Sequence, residues 1–467
     1  MARYNGKNFN NTSMTAFAAE IPWERAIAAL SGIEQITDPN QLTKLSQDYY
    51  HFSPILAAQL ADKRADLVVR PTSEVDVLRV AQVCTRYQIP LTVRGAGTGN
   101  YGQCVPLKGG IVLDLTKLNQ IHWIRQGVAS VDPGVRLANF DKQARPEGWE
   151  WRMYPSTYRT ATVGGFFGGG SGGIGSITYG QLRDRGNLNA VRVVTLENYP
   201  QVLELRGDAV QQVNHAYGTN GIITRLELPL APAYDWAELI ITFPDLATVA
   251  NFGQVLGETD GLMKKLITVC APSVCPYLTA LQDYLPKGQA CALVMIAESS
   301  LELFRELVQE FGGRITYEKS ALEAQKGISL AEFTWNHTTL HARAVDPTIT
   351  YLQTFYFTVE RVLAMEKEFG DEVMIHLEFL RGEGRVMPAG LQLVRYTTPE
   401  RLDEIIALHE AAGCAIANPH TYILEDGGRK VIDPVQLAFK EFVDPRGLLN
   451  PGKMRAWFEK YPTGSRV

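Results

Sequence analysis

The chain has 467 residues, 45% hydrophobic and 20% charged, with 45 Lys+Arg against 50 Asp+Glu for a formal net charge of -5. That balance excludes a disordered chain, and at roughly 100 to 200 residues per domain it predicts two to four domains with sizeable cores. A sequence pI near 6.0 without a long Lys/Arg run excludes nucleic acid as a partner, because phosphate-dominated binding needs a basic footprint.

At the N-terminus, Asn10, Asn11, Thr12 and Ser13 stand where a signal peptide needs an uninterrupted apolar stretch, so export is not expected. No window reaches the roughly 18 consecutive apolar residues of a membrane span, so no transmembrane segment is predicted and any membrane contact is peripheral. The six cysteines are scattered through a large chain, which suits a reducing compartment; the expected location is cytoplasmic.

From Asp66 to Leu230 short apolar runs alternate with glycine turns, the pattern of a mixed α/β unit. Val75, Leu78, Ala81 and Val83 recur at helical spacing behind Thr72 or Ser73 as N-cap, which predicts a helix ending near Gln88. Residues 89–93 then read as a strand, with further strands over 111–115, 128–131, 190–196 and 221–228. Past Ala233 the composition shifts to longer amphipathic segments, over 301–311 and 350–369, mixed with an apolar strand over 291–296. From about Gly413 Gly/Pro-rich turns return. These shifts divide the chain into 1–232, 233–412 and 413–467.

Two glycine segments carry the functional signal. Gly97, Gly99 and Gly102 match G-x-G-x-x-G, but the Rossmann fingerprint needs a helix directly after its last glycine. Residues 103–110 form a Pro/Gly connection instead, and with no G-K-[ST] the P-loop is excluded as well. What remains is a glycine turn whose backbone N–H groups can converge on a diphosphate, or a plain surface turn. A second segment, Ala161 to Gly175, has eight glycines among the twelve residues from Gly164 to Gly175. So many conformationally costly residues call for close approach of backbone to a flat, phosphate-bearing ligand, and Val163, Phe166 and Phe167 do not suit a flexible linker.

At five places the sequence resembles the flavin-binding oxidoreductases of the vanillyl-alcohol-oxidase or PCMH type. These are Val69-Arg70-Pro71-Thr72-Ser73, Arg94-Gly95-Ala96-Gly97-Thr98-Gly99, Ala161-Thr162-Val163-Gly164-Gly165, Gly218-Thr219-Asn220-Gly221-Ile222-Ile223-Thr224 and the closing run from Val443 to Lys453. The resemblance implies an α+β fold: a two-subdomain FAD-binding domain plus a substrate (cap) domain built on a sheet flanked by helices. It also implies FAD across the N-terminal unit. Arg94, Gly95, Ala96, Gly97, Thr98, Gly99, Asn100 and Gly102 would hold pyrophosphate. Thr162, Gly164, Gly165, Gly168 and Gly169 would lie near isoalloxazine and diphosphate, with Pro155, Ser156 and Thr157 just ahead of them. Gly221, Ile222 and Ile223 would border adenine or ribose, and Asn450 and Lys453 of the closing run complete the set. Members that attach FAD covalently carry His or Cys where Thr98 and Ala161 stand here, so noncovalent FAD is implied, with Cys104 the one thiol near the first loop.

A flavin takes the hydride, so the protein must supply a base for the hydroxyl proton and a grip on the substrate. His337 and His341, spaced i,i+4, share one helix face, and Arg343 follows as a bidentate carboxylate clamp. The same pattern also fits a buried helix with two packed histidines. His376, in an apolar run, and His420, where the chain returns toward the flavin unit, are further base candidates. The resemblance is nearest to the glycolate and D-lactate dehydrogenase branch, implying hydride transfer from a small 2-hydroxy acid to flavin N5. That branch's H-x-G-D-G-N-x-H and E-H-G metal elements are absent, Cys270 and Cys275 lack a second ligand pair, and no metal is expected. The alternatives are a sugar/aldonolactone or other alcohol oxidase of the same fold, or an FAD-binding subunit active only with an electron-acceptor protein or iron–sulfur subunit.

Overall fold

The structure, a computed structural model, describes residues 21–428 and 430–462. Its first sheet contains β1 (Glu34–Ile36), β2 (Leu67–Arg70), β3 (Leu91–Arg94) and β4 (Ile111–Asp114), ordered β1-β2-β4-β3 with β4 parallel to both β2 and β3. The near-continuous apolar runs of β2 and β4 are what parallel strands covered on both faces require. The crossover between β2 and β3 is the helix Glu74–Tyr87, which starts where expected: the Ser73 hydroxyl accepts from the Asp76 N–H, and the Asp76 carboxylate accepts from the Ser73 N–H. Gln88, in the left-handed region at φ 56°, ends it.

The second sheet takes β5 (Ile121–Arg125), β6 (Val128–Val131), β7 (Trp149–Trp151), β8 (Ala190–Val194), β9 (Val202–Arg206) and β10 (Ile222–Pro232). Its order is β5-β6-β10-β8-β9, all antiparallel, with β7 pairing the far end of β10.

The remaining strands are β11 (Trp236–Phe243), β12 (Lys264–Cys270), β13 (Ala290–Ala297), β14 (Arg314–Lys319), β15 (Ile349–Tyr351), β16 (Gln353–Phe355), β17 (Val373–Met374), β18 (His376–Gly382), β19 (Arg385–Gly390), β20 (Leu393–Arg395) and β21 (Ala415–Ala417). Eight of them form one antiparallel sheet, β14-β11-β13-β12-β18-β19-β16-β21, and β15, β20 and β17 form a small fourth sheet. Helices Leu246–Glu258, Leu301–Glu310, Val359–Phe369 and Pro399–Ala411 bury their apolar stripes on one face of the large sheet, through Phe252, Phe304, Val362 and Ile405 among others. Part of the opposite face, through Ile240, Cys270, Cys291 and Leu293, packs against Leu278, Leu281, Leu330 and Phe333. This is the α+β architecture implied by the sequence.

Two segments differ from the sequence reading. Residues 350–369 are not one amphipathic element: the β-branched and aromatic residues up to Phe355 pair into β15 and β16, and the helix starts only behind Thr358, whose hydroxyl caps the Arg361 N–H. The second glycine segment opens as a short helix, Val163–Gly169, because Thr162 caps the Gly165 N–H and Val163 and Phe167 anchor it in the core.

Candidate active site

Strand β3 delivers the chain to the first glycine loop, and the closing run locks it there. The Leu91 N–H donates to the Leu448 carbonyl and the Asn450 N–H to the Leu91 carbonyl, at 2.8 and 2.7 Å. Asp444 holds that run in shape by accepting from the Leu448 and Leu449 N–H groups. The glycines of the loop are required by the protein packed behind them. A Cβ on Gly95 would meet the Thr162 hydroxyl at 2.3 Å, one on Gly97 the Arg94 guanidinium at 2.1 Å, and one on Gly99 the Gln103 amide at 2.2 Å. The two glycine segments therefore touch at Gly95 and Gly165, and their other side opens into a cavity of about 1060 Å³.

The large sheet roofs this cavity. Strand periodicity puts Glu378, Leu380 and Gly382 of β18 on one face, and the register pairs them with Ala389, Met387 and Arg385 of β19. Phe355 of β16 follows opposite Ala389, and all of these residues line the cavity. Glu378 is 1% exposed. One of its oxygens accepts from the Thr268 hydroxyl at 2.6 Å, the other from the Trp335 N–H at 2.6 Å. Trp335 is held in an unusual conformation, φ 51° and ψ -138°, at the start of the helix Asn336–Val345, the kind of local strain that collects at functional sites.

His376 backs Glu378. Its Nδ1 lies 3.1 Å from the Leu391 carbonyl and so donates to it. Its Nε2 lies 3.1 Å from Glu378 and 3.2 Å from the Thr338 hydroxyl, whose own proton goes to the Phe333 carbonyl. Both ring nitrogens thus face oxygen atoms, and the imidazole is fixed behind Glu378.

Of the residues singled out from the sequence for cofactor binding, the cavity wall includes Gly95 through Asn100, Pro155, Ser156, Thr157, Thr162, Gly164, Gly165, Gly168, Gly169, Gly221 and Ile223. Arg94, Gly102, Ile222, Asn450 and Lys453 stand behind it. The Asn450 amide donates to the Gln103 carbonyl at 2.8 Å and to the Tyr217 carbonyl, and buried Lys453 donates to the Gly102 carbonyl, so both brace the loop from beneath. Burial raises the pKa of Asp48, which faces the cavity, and lowers that of its neighbour Lys453. The Arg94 guanidinium donates to the Gln47 carbonyl and lies 3.3 Å from the Cys104 thiol, which burial pushes up to about 11.

The catalytic candidates fare differently: none of the five lies on the wall. His337 pairs with Glu332 at 3.1 Å, His341 stacks on Phe333 and bonds the Glu332 carbonyl, and Arg343 donates to the Ile349 carbonyl. These three side chains are spent on their own surroundings, the packed-histidine reading. His420 bridges the Ser53 hydroxyl and the Tyr351 carbonyl, and burial lowers it to about 4. His376 reaches the cavity through Glu378. The sequence reading missed Glu378, although its i,i+2 spacing from His376 on a strand places it on the same face. It also missed His215, a wall residue whose Nδ1 meets the Gly170 carbonyl and whose pKa burial lowers. Among the described residues no three His, Cys, Asp or Glu side chains converge as a metal site, and no helix is long and apolar enough to cross a membrane.

Residues 65–198 match the family model of the FAD binding domain. The chain therefore carries a PCMH-type FAD-binding domain and is similar to FAD-linked oxidoreductases. An FAD-linked oxidoreductase of Mycobacterium tuberculosis is 24% identical over 90% of this chain and 97% of its own length. The glycolate oxidase subunit GlcD of Bacillus subtilis is 24% identical over 84% and 89%. A D-lactate dehydrogenase of Anaerostipes hadrus is 30% identical over 45% and 46%. Among solved structures, alkyldihydroxyacetonephosphate synthase aligns with a TM-score of 0.72 at 16% identity over 92% of this chain and 85% of that one. The 4-ethylphenol oxidase of Gulosibacter chungangensis aligns at 0.65 and 17% identity over 92% and 96%. The fold is shared with both.

The cavity fits the cofactor. Its volume suits a dinucleotide together with a substrate, a Cβ on Gly168 would meet nothing within 4 Å, and Trp335 Nε1 and Asn336 Oδ1 are buried on the wall without a protein partner.

Proposed function

We propose that this FAD-linked oxidoreductase oxidises the CH–OH group of a hydroxy acid, the class that includes the glycolate and D-lactate of its named relatives, in the cavity beneath the large sheet. The observation that carries this reading is Glu378, a carboxylate on the roof of the same cavity that both glycine segments line. The first loop and the Gly164 to Gly169 backbone would hold noncovalent FAD, which supplies the hydride acceptor when bound.

The chain's own task is the proton. Glu378 would accept the substrate hydroxyl proton, and His376, 3.1 Å behind it, orients it. Thr268 and the Trp335 N–H fix the carboxylate plane, so it meets the substrate in one orientation. The Leu380 and Met387 side chains keep that part of the cavity apolar, which strengthens each polar contact inside it. Arg343, expected as the anion clamp, is committed to the Ile349 carbonyl, and the arginines on the wall are Arg183 and Arg385. The glycolate oxidase relative is named as a subunit, which supports an electron-accepting partner chain here, and co-purification from the native source tests that part.

The test is anaerobic titration of the yellow protein with hydroxy acids. Loss of flavin absorbance is expected; if every hydroxy acid leaves the spectrum unchanged while a polyol or lactone bleaches it, the sugar-oxidase reading replaces this one.

A further inference from the structure

The roof is ordered along the strands. Glu378 pairs with Ala389, Leu380 with Met387 two residues on, and Gly382 with Arg385 two residues further. At about 3.4 Å per residue the Glu378 row and the Arg385 row are about 13 Å apart, with the Leu380–Met387 row between them. The turn that carries Arg183, closed between Gln181 and Asp184, reaches the same end, because the Gln181 amide lies 3.6 Å from where a Cβ on Gly382 would sit. Among the described residues, neither Arg183 nor Arg385 has a protein hydrogen bond or ion pair. By contrast, Arg381, on the opposite face of β18, is committed to Asp260. Glu383 and Asp184 share the far end, and Asp184 is engaged by the Gln181 N–H at 2.7 Å.

Around Glu378 the wall carries no Lys or Arg, and the nearest basic group, His376, stands behind Glu378 rather than on the wall. The neighbours of Glu378 there are Trp335, Asn336, Gln353 and Leu391, which are neutral. A carboxylate on the carbon next to the reacting hydroxyl would find no Lys or Arg on this part of the wall to pair with.

We infer that the substrate's anionic group is remote from its reacting carbon: the hydroxyl lies under Glu378, an apolar spacer crosses Leu380 and Met387, and a carboxylate ends between Arg183 and Arg385. This rests on the proposed function and narrows it from small 2-hydroxy acids to long hydroxy acids with the two groups at opposite ends. The span corresponds to about eleven bonds of extended chain, at roughly 1.2 Å per bond.

The experiment compares ω-hydroxy carboxylates, from glycolate up to about twelve carbons, with neutral primary alcohols of the same lengths, using the purified FAD-loaded protein and its Arg385→Ala variant. Turnover is read by flavin bleaching. Binding is read separately by calorimetry with alkanoates that lack the hydroxyl and cannot react. Expected is a preference for the long acid over its matched alcohol and over glycolate, and about a tenfold fall of that acid/alcohol ratio in Arg385→Ala, with a parallel loss of alkanoate affinity. Arg385 sits on an exposed hairpin, so the variant should fold, and Arg385→Lys should restore part of the ratio. If glycolate or D-lactate is oxidised better than any long acid, or if the acid/alcohol ratio is the same in both proteins, the remote-anion inference is overturned while the hydroxy-acid reading stands. If no acid or alcohol of any length bleaches the flavin, both are overturned.

Discussion

Gly95 and Thr162 bring the two glycine segments together, and a double-mutant cycle measures that contact. In Gly95→Ala the new methyl would sit 2.3 Å from the Thr162 hydroxyl oxygen, well inside contact distance, with the Gly165 Cα at 3.4 Å as the next neighbour. Forced overpacking of this kind costs about 1–3 kcal/mol. Thr162→Ala removes the cap on the Gly165 N–H, worth about 1 kcal/mol. If the two effects were independent, the double variant would lose about 2–4 kcal/mol. Removing the hydroxyl, however, also removes the clash, so the double variant should lose only about 1 kcal/mol, a coupling of about 1–3 kcal/mol. Urea unfolding followed by tryptophan fluorescence reads the stabilities, and flavin content after dialysis reads the cradle. Gly95→Ala alone should shed FAD, and the double variant should regain it. Additivity within about 0.5 kcal/mol would refute the packing explanation of Gly95 and leave ligand approach as the reason for the glycine.

Three further outcomes follow from the site. Glu378→Gln keeps the shape and the contact with the Trp335 N–H, so FAD content should be unchanged while kcat falls by about 10²- to 10⁴-fold; a rate within threefold of the parent would remove Glu378 as the proton acceptor. Precipitation in trichloroacetic acid should release all yellow colour into the supernatant, since Thr98 and Ala161 offer no attachment atom and the Cys104 thiol is pushed up to about 11; colour in the pellet would show a covalent link. His420 is lowered to about 4 by burial from an ordinary 6.5, so the unfolded chain binds its proton first as the pH falls. Stability should therefore decline between about pH 6.5 and 4, by at most about 3 kcal/mol from this group, and urea midpoints of His420→Gln should show a shallower slope over that window.

Local chemistry was the part of the fold legible in the sequence. Thr72 or Ser73 announced the helix Glu74–Tyr87, of which Ser73 is the cap, and β6 runs from Val128 to Val131 as its composition implied. The closing run was visible as a motif, but its physical work, pairing with Leu91 and bracing Gly102 through Lys453, depends on residues more than three hundred positions apart. Residues 350–369 misled because Val359–Phe369 is amphipathic and lends its periodicity to the short strands before it.

The site divides in the same way. The glycine segments were recognisable because an accumulation of glycine needs a cause; that the cause at Gly95, Gly97 and Gly99 is protein packed behind the loop could be seen only in three dimensions. Spacing correctly put His337 and His341 in one helix but could not show that Glu332, twenty or more residues from any other site element except Trp335 and Asn336, absorbs both. Glu378 lay two residues from a histidine already singled out, and the strand period was the missing step. Arg183 comes from the connection before β8 and Arg385 from the first position of β19, and no local pattern joins them.

The most direct measurement is the visible spectrum of the purified protein, before and after anaerobic addition of a long ω-hydroxy acid. Two flavin absorption bands that collapse on mixing are predicted, with the pigment leaving the protein in acid. A colourless protein that takes up no FAD on reconstitution, or a flavin indifferent to every alcohol offered, would contradict the account.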